Sequence, residues 1–168
     1  MKNLWAPWRM SYVLGHEKKF EGCIFDASPD QLYDRENLIL CRDHFTVVLL
    51  NRFPYSNGHL LVAPARHLAD LTDLNETEAN QLMRMIRKCT AILKHKLQPD
   101  GFNIGLNLGV TAGAGLADHL HFHIVPRWDG DHNFMTTVGD IRTIPEHIEQ
   151  TFARLLDDFQ AIIKPEAQ

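Results

Sequence analysis

Three histidines alternate with large apolar residues in the run Asp118-His119-Leu120-His121-Phe122-His123-Ile124-Val125-Pro126-Arg127-Trp128. A period of two belongs to a half-buried β-strand, whose successive side chains point to opposite faces. The pattern predicts Leu120, Phe122 and Ile124 in a core. It aligns His119, His121 and His123 on the other face, each about 7 Å from the next. Imidazole changes its charge near neutral pH, with an ordinary pKa of about 6.5. Three imidazoles on one face can therefore act as nucleophile, proton carrier or metal ligand. A merely solvated strand face more often carries Thr, Lys and Glu. Two chemistries stay open at this point. One is a histidine metal site completed by a further ligand. In the other, one imidazole attacks an electrophile while its neighbours fix its tautomer and protonate the leaving group.

The loop Gly109-Val110-Thr111-Ala112-Gly113-Ala114-Gly115 precedes the histidines. Glycines let a backbone approach a ligand closely and offer its N–H groups to phosphate oxygens. Alone this is as well read as a hairpin loop; beside the histidines and Arg127 it reads as a phosphate cradle.

These groups need a scaffold. Residues 38–42 and 45–50 read as strands around an Asp43-His44 turn, 59–63 as a strand ended by Pro64, and 102–108 as another. Pro54, Asn57 and Gly58 make 51–58 a loop. The spacing of Ala79, Leu82, Met83, Ile86, Thr90, Leu93 and Leu97 predicts a core-facing helix over 76–97. Asn75 would cap it with Glu78 three residues on, and Pro99 and Gly101 would stop it. A second amphipathic helix over 145–163 would bury Ile148, Phe152, Leu155, Phe159 and Ile162. Strands around one long helix imply an antiparallel α+β domain.

Composition bounds the function. The 168 residues suit one domain, with 45% hydrophobic and 23% charged residues, as in ordinary globular proteins. No apolar run reaches the roughly 18–20 residues of a membrane span, and residues 1–12 lack the apolar core of a signal peptide. A cytoplasmic protein without a membrane partner is expected. The net charge of −4 argues against a long nucleic acid as partner, which calls for a basic surface, but not against a small anionic ligand. Cys23, Cys41 and Cys89 are odd in number and read as reduced thiols, with metal binding open for Cys23.

The run from His119 to Val125 is similar to the H-φ-H-φ-H-φ-φ motif of the histidine triad superfamily of nucleotidyl hydrolases and transferases. Asn51-Arg52-Phe53-Pro54 followed by Gly58-His59 resembles that family's ribose-binding and fourth-histidine segment. Trp5-Ala6-Pro7-Trp8-Arg9-Met10 and Pro126-Arg127-Trp128 resemble a bacterial branch near the fragile-histidine-triad proteins and the diadenosine tetraphosphate phosphorylases. The resemblance covers most of the chain. It implies a single domain over 1–168 with an N-terminal extension (1–22) and a C-terminal helix (145–163), a five-stranded antiparallel sheet with two main helices, and a homodimer paired through the long helix and a neighbouring strand.

It also implies roles. His121 would attack the α-phosphorus of a nucleotide and form a nucleotidyl-histidine. His123 and His59 would orient it and stabilise charge, and His119 would face the leaving group or hold the site together. Asn51 would bind ribose, Leu49 and Leu61 would wall the base pocket, and Asn107 would contact phosphate. Ala114, Gly115, Arg127 and Trp128 would complete the nucleotide site. The substrate implied is a dinucleoside polyphosphate, such as diadenosine tetraphosphate or triphosphate, with a divalent cation accompanying it and no cofactor needed for the chemistry.

Two departures matter. Ala114-Gly115 stands where phosphorylase-like members carry Gly-Ser, so a hydroxyl for an attacking orthophosphate is missing and hydrolysis is favoured over phosphorolysis. A non-catalytic nucleotide- or zinc-binding module is the remaining alternative. Many bacterial relatives bind zinc through C-x-x-C, a later histidine and the first triad histidine. The matching residues here are Cys23, Asp26, His67 and His119, so a carboxylate replaces one thiolate in a candidate structural zinc site. The third triad position is His123 and not Gln, which counts against the family's uridylyltransferase branch. His16, His44, His95, His132 and His147 read as surface or loop residues.

Overall fold

The computed structural model describes residues 22–26, 31–131 and 144–164. Residues 1–21 of the N-terminal extension, with Trp5, Trp8 and His16, and His132 lie outside them. Five antiparallel strands form one sheet: β1 (Ile39–Arg42), β2 (Thr46–Leu50), β3 (Leu60–Pro64), β4 (Gly101–Leu106) and β5 (Phe122–Arg127), in spatial order β1-β2-β3-β5-β4. Among the described residues three α-helices accompany it: α1 (Gln31–Glu36), α2 (Glu76–Leu97) and α3 (Ile148–Ile163). This is the expected α+β sheet with two main helices; the short α1 was not anticipated.

Chemistry at the turns explains why the elements begin and end where they do. The Asp43 carboxylate accepts from the Phe45 and Thr46 N–H groups and from the Thr46 hydroxyl, closing the β1–β2 hairpin. Asn75 and Glu78 form a reciprocal capping box at the start of α2, satisfying two N–H groups that a helix end leaves orphaned. Gln98 ends α2 in the left-handed region at φ 50°, a common way for a helix to stop, and Pro99 after it cannot continue the helix. The last helix starts later than 145: His147 is its N-cap and accepts from Glu149 N–H.

β2 and β3 are buried at every position, so they read as continuous apolar runs and not as alternating ones. One face of the sheet packs Leu40, Val48, Leu50, Leu60, Val62 and Ile124 against α2 and α3. The other carries a smaller cluster of Phe25, Ile39, Val47, Leu49, Leu61 and Ala63. Each fully buried Leu or Phe contributes about 1.5–3 kcal/mol, which fixes the register of the central strands on both sides.

The stripe read on α2 needs correcting. Leu82, Met85, Ile86, Cys89 and Leu93 are its buried residues, whereas Met83 is 52% exposed and Ala79 is exposed. The helix is rotated so that positions 85 and 89 face the sheet. The histidine strand is also shorter than its pattern: pairing begins at Phe122, so only His123 lies within the ladder. His119 and His121 precede it in irregular chain, and they are buried, not solvated. Leu120 and Ile124 reach the core as expected; Phe122 is half-buried.

Gly58 delivers the chain into β3. Its φ is +71°, and a Cβ there would collide with Leu97 Cδ1 at the end of α2. Gly58→Ala is therefore expected to destabilise the fold by about 1–3 kcal/mol, measured by chemical denaturation. An unchanged midpoint would show that this turn is not constrained.

Candidate active site

Strand register places the reactive histidines together. Leu61 pairs with His123, and Leu49 pairs with Leu61. Side chains two apart share a face, so Leu49, Leu61, His59, His121 and His123 lie on the sheet face away from α2 and α3. The ring centroids of His121 and His123 are 5.1 Å apart, and those of His59 and His123 are 5.2 Å apart.

Fixed backbone groups determine where the protons sit. The Tyr55 N–H donates to His59 Nδ1 at 3.1 Å, and Asn51 Nδ2 approaches the same nitrogen at 3.4 Å. A neutral His59 must then carry its proton on Nε2, 3.0 Å from His123 Nδ1. That bond leaves His123 protonated on Nε2. On His121, Nδ1 lies 2.7 Å from the His119 carbonyl, which can only accept. Nδ1 thus holds the proton, and Nε2 of His121 keeps a free lone pair. His119 has the opposite tautomer, because its Nε2 donates to the Pro64 carbonyl at 2.9 Å and its Nδ1 lone pair is exposed to Cys23 and Asp26.

Burial disfavours the charged form of His59, His119 and His123. His59 is fully buried, and burial, His123 and His121 push its pKa down to about 3. Burial, then His121, lowers His123. Burial also lowers His119, against the opposing pull of its Pro64 hydrogen bond. The hydrogen bonds aim the lone pair of His121 Nε2 and the Nε2–H of His123 from the same face, as nucleophilic attack and leaving-group protonation require.

A cavity of about 800 Å³ opens from His123 and is lined also by Tyr55, Asn107, Arg127 and Trp128. Of the residues expected to hold a nucleotide, these three, Asn107, Arg127 and Trp128, are brought together. Three N–H groups of Arg127 are engaged by Asp131 at 2.6 and 2.9 Å and by Asn103 at 2.8 Å. Its charge is thereby balanced by a carboxylate, which sequence reading did not foresee. Ala114 and Gly115 sit in the loop after a 3-10 turn at Val110–Ala112, and Gly115 has open space around it. Leu49 and Leu61 lie apart from the cavity, buried beside Phe25. Asn51 accepts from the Phe53 N–H at 3.0 Å, a turn-forming bond, while its amide reaches His59.

The candidate metal ligands converge as well. One ligand atom from each of Cys23, Asp26, His67 and His119 lies within 4.8 Å of all the others. Cys23 Sγ is 3.1 Å from His119 Nδ1, and His67 Nδ1 is 3.0 Å from Asp26 Oδ1. Tetrahedral zinc bonded at about 2.0–2.3 Å separates its ligand atoms by about 3.3–3.8 Å, so small adjustments suffice. His119 already has the required tautomer, fixed by the Pro64 carbonyl as metal-bound histidines usually are. The donor set fits zinc.

Comparison with known proteins now bears on this geometry. A family model described as HIT domain matches residues 34–130. The chain belongs to the HIT domain family. A protein named AP-4-A phosphorylase from Mycobacterium tuberculosis is 40% identical to this HIT chain over 157 residues, 90% of this chain and 80% of that protein. A bis(5'-nucleosyl)-tetraphosphatase (asymmetrical) from Schizosaccharomyces pombe is 32% identical over 107 residues, 61% of this chain and 58% of that protein. Among solved structures, a Zn-bound histidine triad family protein from Mycobacterium smegmatis superposes with a TM-score of 0.60 at 26% identity, covering 75% of this chain and 86% of that one.

The HIT motif pointed to the histidines but not to their supports. Tyr55 was missed: its N–H sets the His59 tautomer and its ring stacks on His123 at 6.1 Å. So was Phe25, fully buried with its ring 5.3 Å from His121. An aromatic residue two positions after Cys23 and one four before His59 were the only signals available. The Pro64 carbonyl left no signal in the side-chain pattern.

Proposed function

We propose that this HIT protein is an enzyme that cleaves dinucleoside polyphosphates through a nucleotidyl-His121 intermediate. The observation that carries the reading is the 2.7 Å contact of His121 Nδ1 with the His119 carbonyl, which leaves Nε2 free to attack. The Nε2–phosphorus bond forms as the bond to the polyphosphate leaving group breaks. His123 Nε2–H, held in place by His59 and Tyr55, donates to the phosphoryl oxygen or the departing oxygen. Asn51 binds ribose, and Asn107, Ala114, Gly115, Arg127 and Trp128 line the path of the phosphates; Leu49 and Leu61, buried beside Phe25, support the sheet under the histidines. A divalent cation travels with the polyphosphate.

Water or orthophosphate then resolves the intermediate. The missing hydroxyl at Ala114-Gly115 supports water; the likeness to the mycobacterial phosphorylase supports orthophosphate. Incubation with diadenosine tetraphosphate, with and without added phosphate, separates them. AMP plus ATP indicates hydrolysis, and ADP plus ATP that appears only with phosphate indicates phosphorolysis. No turnover of either kind, nor of an adenosine phosphoramidate, would leave a binding module.

The wider reading has one domain over 1–168, working as a homodimer in the cytoplasm. Free thiols at Cys23, Cys41 and Cys89 support a reducing compartment. No helix among the described residues is long and apolar enough to cross a membrane. Cys23, Asp26, His67 and His119 would hold a zinc ion whose four protein ligands leave no open position, so its contribution is structural. Burial holds the Cys23 thiol above its ordinary pKa, so zinc uptake is expected to release a proton.

A further inference from the structure

We propose that Phe25 is a positioning residue for His121, and that Phe25 and His119 together make the geometry of His121 depend on zinc at Cys23, Asp26, His67 and His119. This rests on the zinc reading given above. His119 uses three atoms in three directions. Its Nε2–H donates to Pro64, its Nδ1 faces Cys23 Sγ at 3.1 Å and Asp26 Oδ1 at 3.7 Å, and its carbonyl holds the His121 Nδ1 proton. Any change in the ring position on the ligand side is transmitted through one residue to the carbonyl that fixes the tautomer of His121.

Phe25 supplies a second link. It lies between two ligands in a tight turn closed by the Asp26 N–H on the Cys23 carbonyl at 3.0 Å. Its ring contacts both His119 and His121, at centroid distances of 4.9 and 5.3 Å. Arg42 anchors this turn to β1 by donating to the Phe25 carbonyl at 3.0 Å. The Leu120 N–H donates to the Leu68 carbonyl at 2.7 Å, tying the residue after His67 to the residue after His119. The segments that carry the ligands are thus the ones packed around the nucleophile. The side chains of Asp26 and His67 are each 49% exposed, so one edge of the cluster is open to exchange with solvent.

The test uses the full chain, stripped with a chelator and titrated with zinc alone. Competition with a chromophoric chelator reads affinity, and long-range ¹⁵N–¹H spectra of the imidazoles read which nitrogen of His121 carries the proton. With zinc, a single Nδ1–H form of His121 is expected. Stripping should convert it to a mixture of tautomers and slow nucleotidyl-enzyme formation about tenfold, with little change in KM. Phe25→Leu keeps an apolar side chain in the core but removes the ring face. It should bind zinc like the parent yet show the stripped pattern at His121. Asp26→Cys should keep the Nδ1–H form at lower free zinc. If the parent takes up no zinc, both this coupling and the zinc site are overturned. If zinc binds but His121 is indifferent to it, or if Phe25→Leu responds as the parent does, the coupling fails while the zinc site stands.

Discussion

His121→Ala should lower turnover of diadenosine tetraphosphate on the order of 10⁴-fold or more, because it removes the nucleophile and no other described histidine is placed to replace it. Substrate binding should persist, since Asn51, Asn107 and the cavity walls do not depend on the His121 side chain. Equilibrium binding of a non-hydrolysable analogue and acid-quench mass spectrometry together decide the matter. The parent should trap a nucleotidyl adduct on His121, and the variant none. His59→Ala should be milder in chemistry, since it only loosens His123. Turnover retained by His121→Ala would remove the covalent mechanism altogether.

A large, steep acid sensitivity is the second expectation. His59 has a folded pKa of about 3 against about 6.5 in an unfolded chain. Its folded value is depressed, so above pH 6.5 it is neutral in both states and its contribution to stability is complete. Below pH 6.5 the unfolded state binds a proton that the folded state does not. Unfolding free energy should then fall by about 1.4 kcal/mol per pH unit from this residue alone, down to about pH 3. His123 is lowered as well and adds in the same direction. Urea denaturation of the full chain at pH 7.5, 6.5, 5.5 and 4.5 reads the slope. A flat profile between pH 6.5 and 4.5 would contradict the neutral, hydrogen-bonded histidine pair. His59→Gln should flatten it.

Much of this molecule was legible in the sequence because local chemistry and tertiary packing agree. Asn75, Glu78 and Pro99 announce the ends of α2, and they appear as a capping box and a left-handed cap. The alternation at His119–Ile124 identified the reactive face even though pairing starts only at Phe122. The misreading of the histidine face has a physical cause. A polar side chain at period two says which face it occupies, but not whether another layer covers that face. Phe25 and its neighbours cover it here, from a segment nearly a hundred residues away in sequence. The Arg127–Asp131 pairing is a tertiary choice among surface charges that spacing cannot reveal, and the α2 stripe was misread where Met83 and Met85 compete for one side.

β3 joins the two ends of the histidine row. His59 stands immediately before its first residue and touches His123; its last residue, Pro64, offers the carbonyl that orients His119. One strand of about 16 Å therefore works as a ruler, holding the opposite ends of the histidine row at a set separation. Loops that carry none of the groups around the histidines, such as the Asp43-His44 turn, can vary in length more freely. An insertion or deletion within 60–64 would move one end relative to the other and turn alternate side chains to the wrong face. Tolerance to length change should thus be lowest in a strand that contributes no reacting atom.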